Sequence, residues 1–228
     1  RRELRNMHQA MSADVLPPTL YVLNANSIAK PHAVEQLTAD LSGYAVDVAV
    51  VTESHLKPKH IDTAVSIDGY QLFRRDRKGR KAGGVAIYVR RSACTSAAEW
   101  PIRDLLPVYE LLWVRITRGD EVTYVGALYH PPKPRYAAPD LVAIIEASII
   151  RIQHECAKCH IILAGDFNTL PAQEVVIATG LAPIVSQPTR GNSHLDHIFV
   201  SDLQYTGVKV VKSAVTTDHQ AIIAYSGD

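Results

Sequence analysis

Apolar residues recur along the chain in two rhythms. Leu20-Tyr-Val-Leu-Asn24 and residues 46–51 are short apolar runs closed by polar residues. That is the pattern of strands covered on both faces. Between them, Val34, Leu37 and Leu41 recur at helical spacing, with Pro31 suited to the first turn and Gly43 to the end. From Tyr70 to Tyr129 the rhythm changes to short β-rich runs at 70–75, 84–90, 111–117 and 121–129, the last two joined by the turn Arg118-Gly119-Asp120. Pro131, Pro132 and Pro134 then forbid regular structure. A long helix is predicted over 139–155, with Leu141, Ile145, Ile149 and Ile152 on one face. A strand at 160–164, a short helix at 171–179 and strands at 195–201, 206–211 and 221–224 complete the series. Residues 1–18 are polar, lack periodicity and end in Pro17-Pro18, so they are expected to form a linker or arm. Residues 19–228 are expected to form one α/β domain with packed sheets.

Composition narrows the function. No apolar run approaches the ~20 residues of a membrane span; the most apolar stretch, Leu141-Val-Ala-Ile-Ile145, stops at Glu146. The 24 Lys+Arg and 23 Asp+Glu leave a net charge of +1 over 228 residues, which excludes a polycation that grips nucleic acid by bulk charge. Local charge is another matter: Arg74, Arg75, Arg77, Lys78, Arg80 and Lys81 crowd into positions 74–81, offset only by Asp76. Three cysteines are too few for a secreted disulfide scaffold and point to a reducing, intracellular compartment. The chain opens on Arg1 rather than Met, as expected of a domain excised from a longer polypeptide.

Polar residues cluster where apolar strands end. Asn24 and Asn26 follow the first strand, Glu53 the second, Tyr129 and His130 close another, and Asp166 and Asn168 follow Ile161-Ile-Leu-Ala164. Asp218 and His219 precede the last strand. A single polar strand end is usually a turn former. Five together mark the place where α/β folds assemble sites. The hard oxygen ligands Glu53, Asp166, Asn24 and Asn168 suit Mg²⁺ or Mn²⁺ rather than zinc. A His beside an Asp can orient and exchange a proton. No Ser or Cys sits in a nucleophile setting, so the set suits metal-assisted hydrolysis at phosphorus. Cys156-Ala-Lys-Cys-His160 matches haem-attachment spacing, but two free thiols at a helix end are the simpler account.

Seven motifs occur in a family-like order: Leu23-Asn-Ala-Asn-Ser27, Val51-Thr-Glu-Ser-His-Leu56, Gly83-Gly-Val-Ala-Ile87, Leu128-Tyr-His-Pro-Pro132, Gly165-Asp-Phe-Asn168, His194-Leu-Asp-His197 and Thr217-Asp-His219. Together they resemble the endonuclease/exonuclease/phosphatase superfamily. The Tyr-His-Pro-Pro motif and the strand Leu195-Asp-His-Ile-Phe-Val-Ser201 are most similar to the endonuclease domain of non-LTR (LINE-type) retrotransposons. The resemblance implies a four-layer α/β sandwich of two packed, mainly antiparallel sheets flanked by helices.

It also implies roles. Glu53 is the principal metal ligand, with Asn24 beside it, Asn26 on the metal or phosphate side and Asp218 completing the metal side. Asp166 orients and deprotonates the attacking water, and Asn168 helps to hold it. Tyr129 contacts the scissile phosphate. His219 stabilises developing charge, its ring fixed by Asp196. The family's Ser-Asp-His is here Thr217-Asp-His219, which keeps the hydroxyl.

Two segments are expected to meet DNA: the basic run Arg74–Lys81, and a hairpin at 187–194 whose Thr189, Arg190, Asn192 and His194 would reach a groove. The implied activity is Mg²⁺-dependent nicking of one strand of double-stranded DNA, leaving a 3′-hydroxyl that primes a reverse transcriptase domain of the same polyprotein. The implied setting is a monomeric domain acting in the nucleus. An abasic-site repair endonuclease of the same fold is the alternative, and a phosphatase or sphingomyelinase the third. On this reading, Glu53→Ala and His219→Ala should each abolish Mg²⁺-dependent nicking and leave the chain folded. Retained nicking by both variants, scored on supercoiled plasmid, would refute the site.

Overall fold

The computed structural model describes residues 16–227; the arm expected at 1–18 lies outside the described residues up to residue 15. Fifteen helices and strands follow. They are β1 (Leu20–Asn24), α1 (Ala33–Gly43), β2 (Val48–Thr52), β3 (Tyr70–Arg75), β4 (Val85–Arg90), β5 (Ser96–Trp100), β6 (Glu110–Arg118) and β7 (Glu121–Tyr129). Then come α2 (Ala138–Glu155), β8 (His160–Asp166), α3 (Ala172–Thr179), β9 (Ala182–Pro183), β10 (Asp196–Val200), β11 (Gly207–Val211) and β12 (Ala221–Tyr225). They build two six-stranded sheets, ordered β11-β12-β1-β2-β4-β3 and β5-β6-β7-β8-β10-β9.

Each sheet holds one parallel pair at its centre, β1–β2 and β7–β8, and is otherwise antiparallel. A helix makes each parallel crossover, α1 in the first sheet and α2 in the second. Both parallel pairs therefore end their strands on the same kind of edge, which is where Asn24 and Asp166 stand.

The alternation along β1 shows how the layers form. Leu20 and Val22 pack between the sheets with Val48, Val50, Val125 and Ile162. Tyr21 and Leu23 point the other way, against Leu37 and Leu41 of α1. On the far side, Leu141, Ile145, Ile149 and Ile152 of α2 cover Leu111, Trp113 and Leu163. The result is the expected four-layer sandwich, helix–sheet–sheet–helix.

Three local expectations shift. The first helix starts at Ala33, because His32 takes a left-handed conformation (φ 63°) and Pro31 stays in the preceding turn. The second strand starts at Val48 rather than at 46, since Val46 turns its carbonyl to the Tyr70 hydroxyl (2.6 Å) and Arg90 Nε (2.9 Å). β5, Ser96-Ala-Ala-Glu-Trp100, has little strand propensity and forms as an edge partner of β6.

Where the β7 and β8 starts meet the loop after β10, His160 is clamped between Asp202 (Nδ1, 2.7 Å) and Glu121 (Nε2, 3.0 Å). Burial works to lower its pKa, but these two carboxylates outweigh it and raise it above 6.5. A raised folded-state pKa gives stability that is full below the unfolded value and is lost as pH rises through the folded one. The melting-temperature advantage of the wild type over His160→Gln should therefore be largest near pH 6 and shrink toward pH 9. A difference independent of pH in thermal melts would rule out the charged clamp.

Candidate active site

The site lies where strand ends of both sheets converge. Asn24 ends β1, Glu53 follows β2, Tyr129 ends β7, Asp166 ends β8 and Asp196 begins β10. In register, Asp166 stands opposite Tyr129 on one side and Asp196 on the other. Five of the nine non-glycine residues with positive φ among the described residues are here: Asn26, Ser27, Glu53, His55 and Asn168. Such backbone persists only when its surroundings hold it, and sites are where it collects.

The centre is one amide. Asn24 Nδ2 donates to Glu53 Oε2 and to Asp166 Oδ2, both at 2.8 Å, and so joins carboxylates of the two sheets. Asn24 Oδ1 accepts the Asn26 N–H (3.1 Å), while Asn26 itself is exposed. The two carboxylates differ sharply. Burial pushes the Glu53 pKa up, yet the His55 ring, the Asn24 amide and the Tyr129 hydroxyl pull harder, and it falls to about 2. The His55 contact is electrostatic rather than an aligned hydrogen bond, with Nε2 3.5 Å from Glu53 Oε1. Burial and the neighbouring Asp196 carboxylate push Asp166 up to about 7, against the pull of Asn24 and His219. Burial and the charges of Glu53 and Asp166 hold the Tyr129 phenol firmly protonated.

Beside this pair lies a dyad. His219 Nδ1 donates to Asp196 Oδ2 at 2.7 Å, with the His side chain 4% and the Asp side chain 0% exposed. Burial works to lower the His219 pKa, and the hydrogen bond and charge of Asp196 raise it further. With Nδ1 engaged by Asp196, Nε2 is the ring nitrogen left to face a substrate. The hydroxyl of the buried Thr189 also donates to Asp196 Oδ2 (2.6 Å) and accepts the Asp196 N–H (3.1 Å). Asn168 donates to the His130 carbonyl (2.7 Å) from Nδ2, and its N–H donates to Asp166 Oδ1 (2.9 Å).

A hard cation fits these residues. Asp166, Asp196 and His219 each bring a ligand-type atom within 4.8 Å of the others. Asp196 Oδ1 is buried with no hydrogen-bond partner among the described residues. An orphaned carboxylate oxygen next to a second buried carboxylate calls for a positive charge. Glu53, Asp166 and Asp196 are the carboxylates that would hold it. Mg²⁺ or Mn²⁺ would supply charge neutralisation at the phosphate.

Several expected site residues stand elsewhere. Asp218 turns to Arg190 (2.6 Å) with its side chain 54% exposed, so the structure does not bring it into the Glu53–Asp166 cluster. Thr189, expected at DNA, is fully buried under Asp196. Arg190, Asn192 and His194 are exposed at the hairpin tip. Of the six basic residues, Arg74 is bound to Asp76, Asp62 and the carbonyls of Lys57 and His60. Arg75 donates to the carbonyls of Tyr109 and Leu106, and Arg77 to Glu110. Lys78, Arg80 and Lys81 remain exposed. Two residues had no sequence signal that singled them out. Lys30 Nζ ties the carbonyls of Ala25 and Asn26 to that of Thr216, just ahead of His219. Glu110 is a buried acid that opens an apolar strand.

The chain belongs to the endonuclease/exonuclease/phosphatase family, which it matches over residues 21–219. It is thus one of a family of metal-dependent nucleases and phosphodiesterases. Among solved structures it is similar to the endonuclease domain of TRAS1, a telomere-specific non-LTR retrotransposon, with 16% identity, TM-score 0.67, and 91% of this chain and 97% of that chain covered. It is also similar to D. rerio TDP2 complexed with a single-strand DNA product (15% identity, TM-score 0.66, 91% of this chain and 97% of that one). A third is the 3′ phosphatase NExo from Neisseria bound to a product DNA hairpin (15% identity, TM-score 0.67, 92% of this chain and all of the other). At such identities the likeness is one of fold. Among curated proteins, none matches by sequence.

The raised Asp166 pKa has a measurable sign. Its ordinary value is 3.8 and its folded value about 7, so the folded chain binds the proton more tightly. Its contribution is full below pH ~4 and is lost as pH rises through about 7. In EDTA, the melting temperature of Asp166→Asn should therefore gain on that of wild type as pH rises from about 4 to 8. Added Mg²⁺ should raise the wild-type melting temperature and leave the variant unmoved. Equal Mg²⁺ shifts in scanning fluorimetry would contradict the ligand assignment.

Proposed function

We propose that the chain is a Mg²⁺-dependent DNA endonuclease that nicks one strand of duplex DNA, leaving a 3′-hydroxyl and a 5′-phosphate. In the nuclear setting of a non-LTR retrotransposon, that hydroxyl primes a reverse transcriptase domain carried on the same polypeptide. One observation carries the reading. The exposed hairpin tip at Arg190–His194 grows from Thr189, whose hydroxyl is bonded to Asp196, the carboxylate that orients His219. A target-reading element is thereby rooted in the catalytic dyad. The exposed Lys78, Arg80 and Lys81 add sequence-independent attraction for phosphate. The likeness to the TRAS1 domain supports the same choice.

The residues have consistent tasks. Asp166, held by Asn24 and by the Asn168 N–H, accepts a proton from the attacking water as its oxygen bonds to phosphorus. The bond from phosphorus to O3′ breaks, and its electron pair leaves on O3′, which takes up a proton. His219 donates from Nε2 to a non-bridging oxygen as charge grows there. Tyr129 keeps its phenolic proton and is aimed beside Glu53. Asn168 and Asn24 hold Asp166 in place.

Supercoiled plasmid should convert to open circle with Mg²⁺ and stay supercoiled in EDTA. The nicked ends should prime a polymerase directly, without phosphatase treatment. Ends that need dephosphorylation, or a strong preference for an abasic duplex over an intact one, would replace this reading with an end-processing or repair enzyme.

A further inference from the structure

Arg77 leaves the basic loop and turns inward. Its Nε and Nη2 donate to Glu110 Oε2 at 2.9 and 2.6 Å, and Glu110 Oε1 accepts the Gly84 N–H. The Arg77 side chain is only 11% exposed and that of Glu110 3%. The guanidinium carbon lies over the Tyr129 ring, 5.4 Å from its centroid. Glu110 opens β6 directly opposite Tyr129, so the pair reaches the ring from the neighbouring strand.

The local chain is shaped around this contact. Gly83 and Gly84 have φ of 70° and 86°, conformations that favour glycine. A Cβ at Gly83 would overlap the Arg77 guanidinium and Glu110, and one at Gly84 would meet the Ser54 hydroxyl. Ser54 immediately follows Glu53, so the glycine pair, the ion pair and the Glu53 turn share one crowded space. An arginine meant for phosphate would keep its fork in solvent. This one is desolvated, and a cation over an aromatic face holds the ring it covers.

We propose that Arg77 and Glu110 form a positioning pair for Tyr129, fixing the ring beside Glu53. Arg77 thus acts on turnover through Tyr129 rather than on DNA affinity through phosphate. The inference rests on the nuclease reading for its kinetic test, and a second readout is independent of it.

Breaking one partner strands a buried charge and endangers folding, whereas a neutral pair of similar shape is tolerated. The variant is therefore Arg77→Met/Glu110→Gln, in which glutamine still accepts the Gly84 N–H. Nicking kcat should fall about 10- to 100-fold, as for small displacements of catalytic groups. KM for DNA should change by less than about threefold and melting temperature by a few degrees. In a Tyr129→Phe background the same pair of substitutions should cost less than about threefold more, because coupled residues are not additive. A multiplicative loss, or a change confined to KM, would overturn the proposal.

The readout independent of activity is the ¹⁹F spectrum of protein labelled with 3-fluorotyrosine. The Tyr129 signal is the one of ten lost in Tyr129→Phe. It should shift in Arg77→Met/Glu110→Gln. An unmoved signal overturns the proposal whether or not the chain cuts DNA, while absent cutting by the wild type counts only against the nuclease reading.

Discussion

A single amide nitrogen, Asn24 Nδ2, holds together two carboxylates that belong to different sheets. Glu53 comes from the sheet built on β1 and β2, Asp166 from the sheet built on β7 and β8. Their spacing is therefore set by how the sheets pack, and that is decided by the apolar layer of Leu20, Val22, Val48, Val125 and Ile162 between them. The site is thus a readout of the interior. Close-packed interiors resist change of even a methylene, so the layer acts as a rigid spacer.

The same geometry sorts the charges. Glu53 is surrounded by donors and stays ionised, while Asp166 faces Asp196 across adjacent strands and resists ionisation. Like charges directly opposite on a sheet repel. His219 relieves only one side, since both hydrogen bonds to Asp196 fall on Oδ2 and leave Oδ1 bare. A carboxylate that resists ionisation and a demand for a cation thus arise from one arrangement.

Much of this was legible in the chain. Apolar runs that stop on Asn24, Glu53 and Asp166 announce both the strands and the edge on which they end. The four layers follow from two βαβ crossovers. What was not legible is pairing at a distance. Arg77 and Glu110 are 33 positions apart, and a run of six cations looks the same whether its members are solvated or spent inside. The Gly83-Gly84 doublet was the available hint, because two consecutive glycines mark a place where something must pass close. Thr189 misled for the opposite reason: a hydroxyl in a polar turn looks exposed, and its burial depends on Asp196 reaching back seven residues. β5 was missed because its pairing with β6, rather than its own Ser-Ala-Ala-Glu composition, makes it a strand.

The hairpin at 187–194 is held at its root on three counts. The Thr189 hydroxyl engages Asp196 in both directions, and the Thr189 carbonyl accepts the N–H of Gln220, the residue after His219. Beyond the root, Arg190 meets Ser193 across a turn of its own, with Gly191 at φ 55°. The segment is thereby divided into a fixed base and a free fingertip. The Thr189 N–H ties the tip back through the Ser193 carbonyl (3.0 Å), a backbone bond, so side chains at 192–194 can change while the hydroxyl of Thr189 stays on Asp196. Arg190 alone straddles the boundary, through its ion pair with Asp218 beside His219.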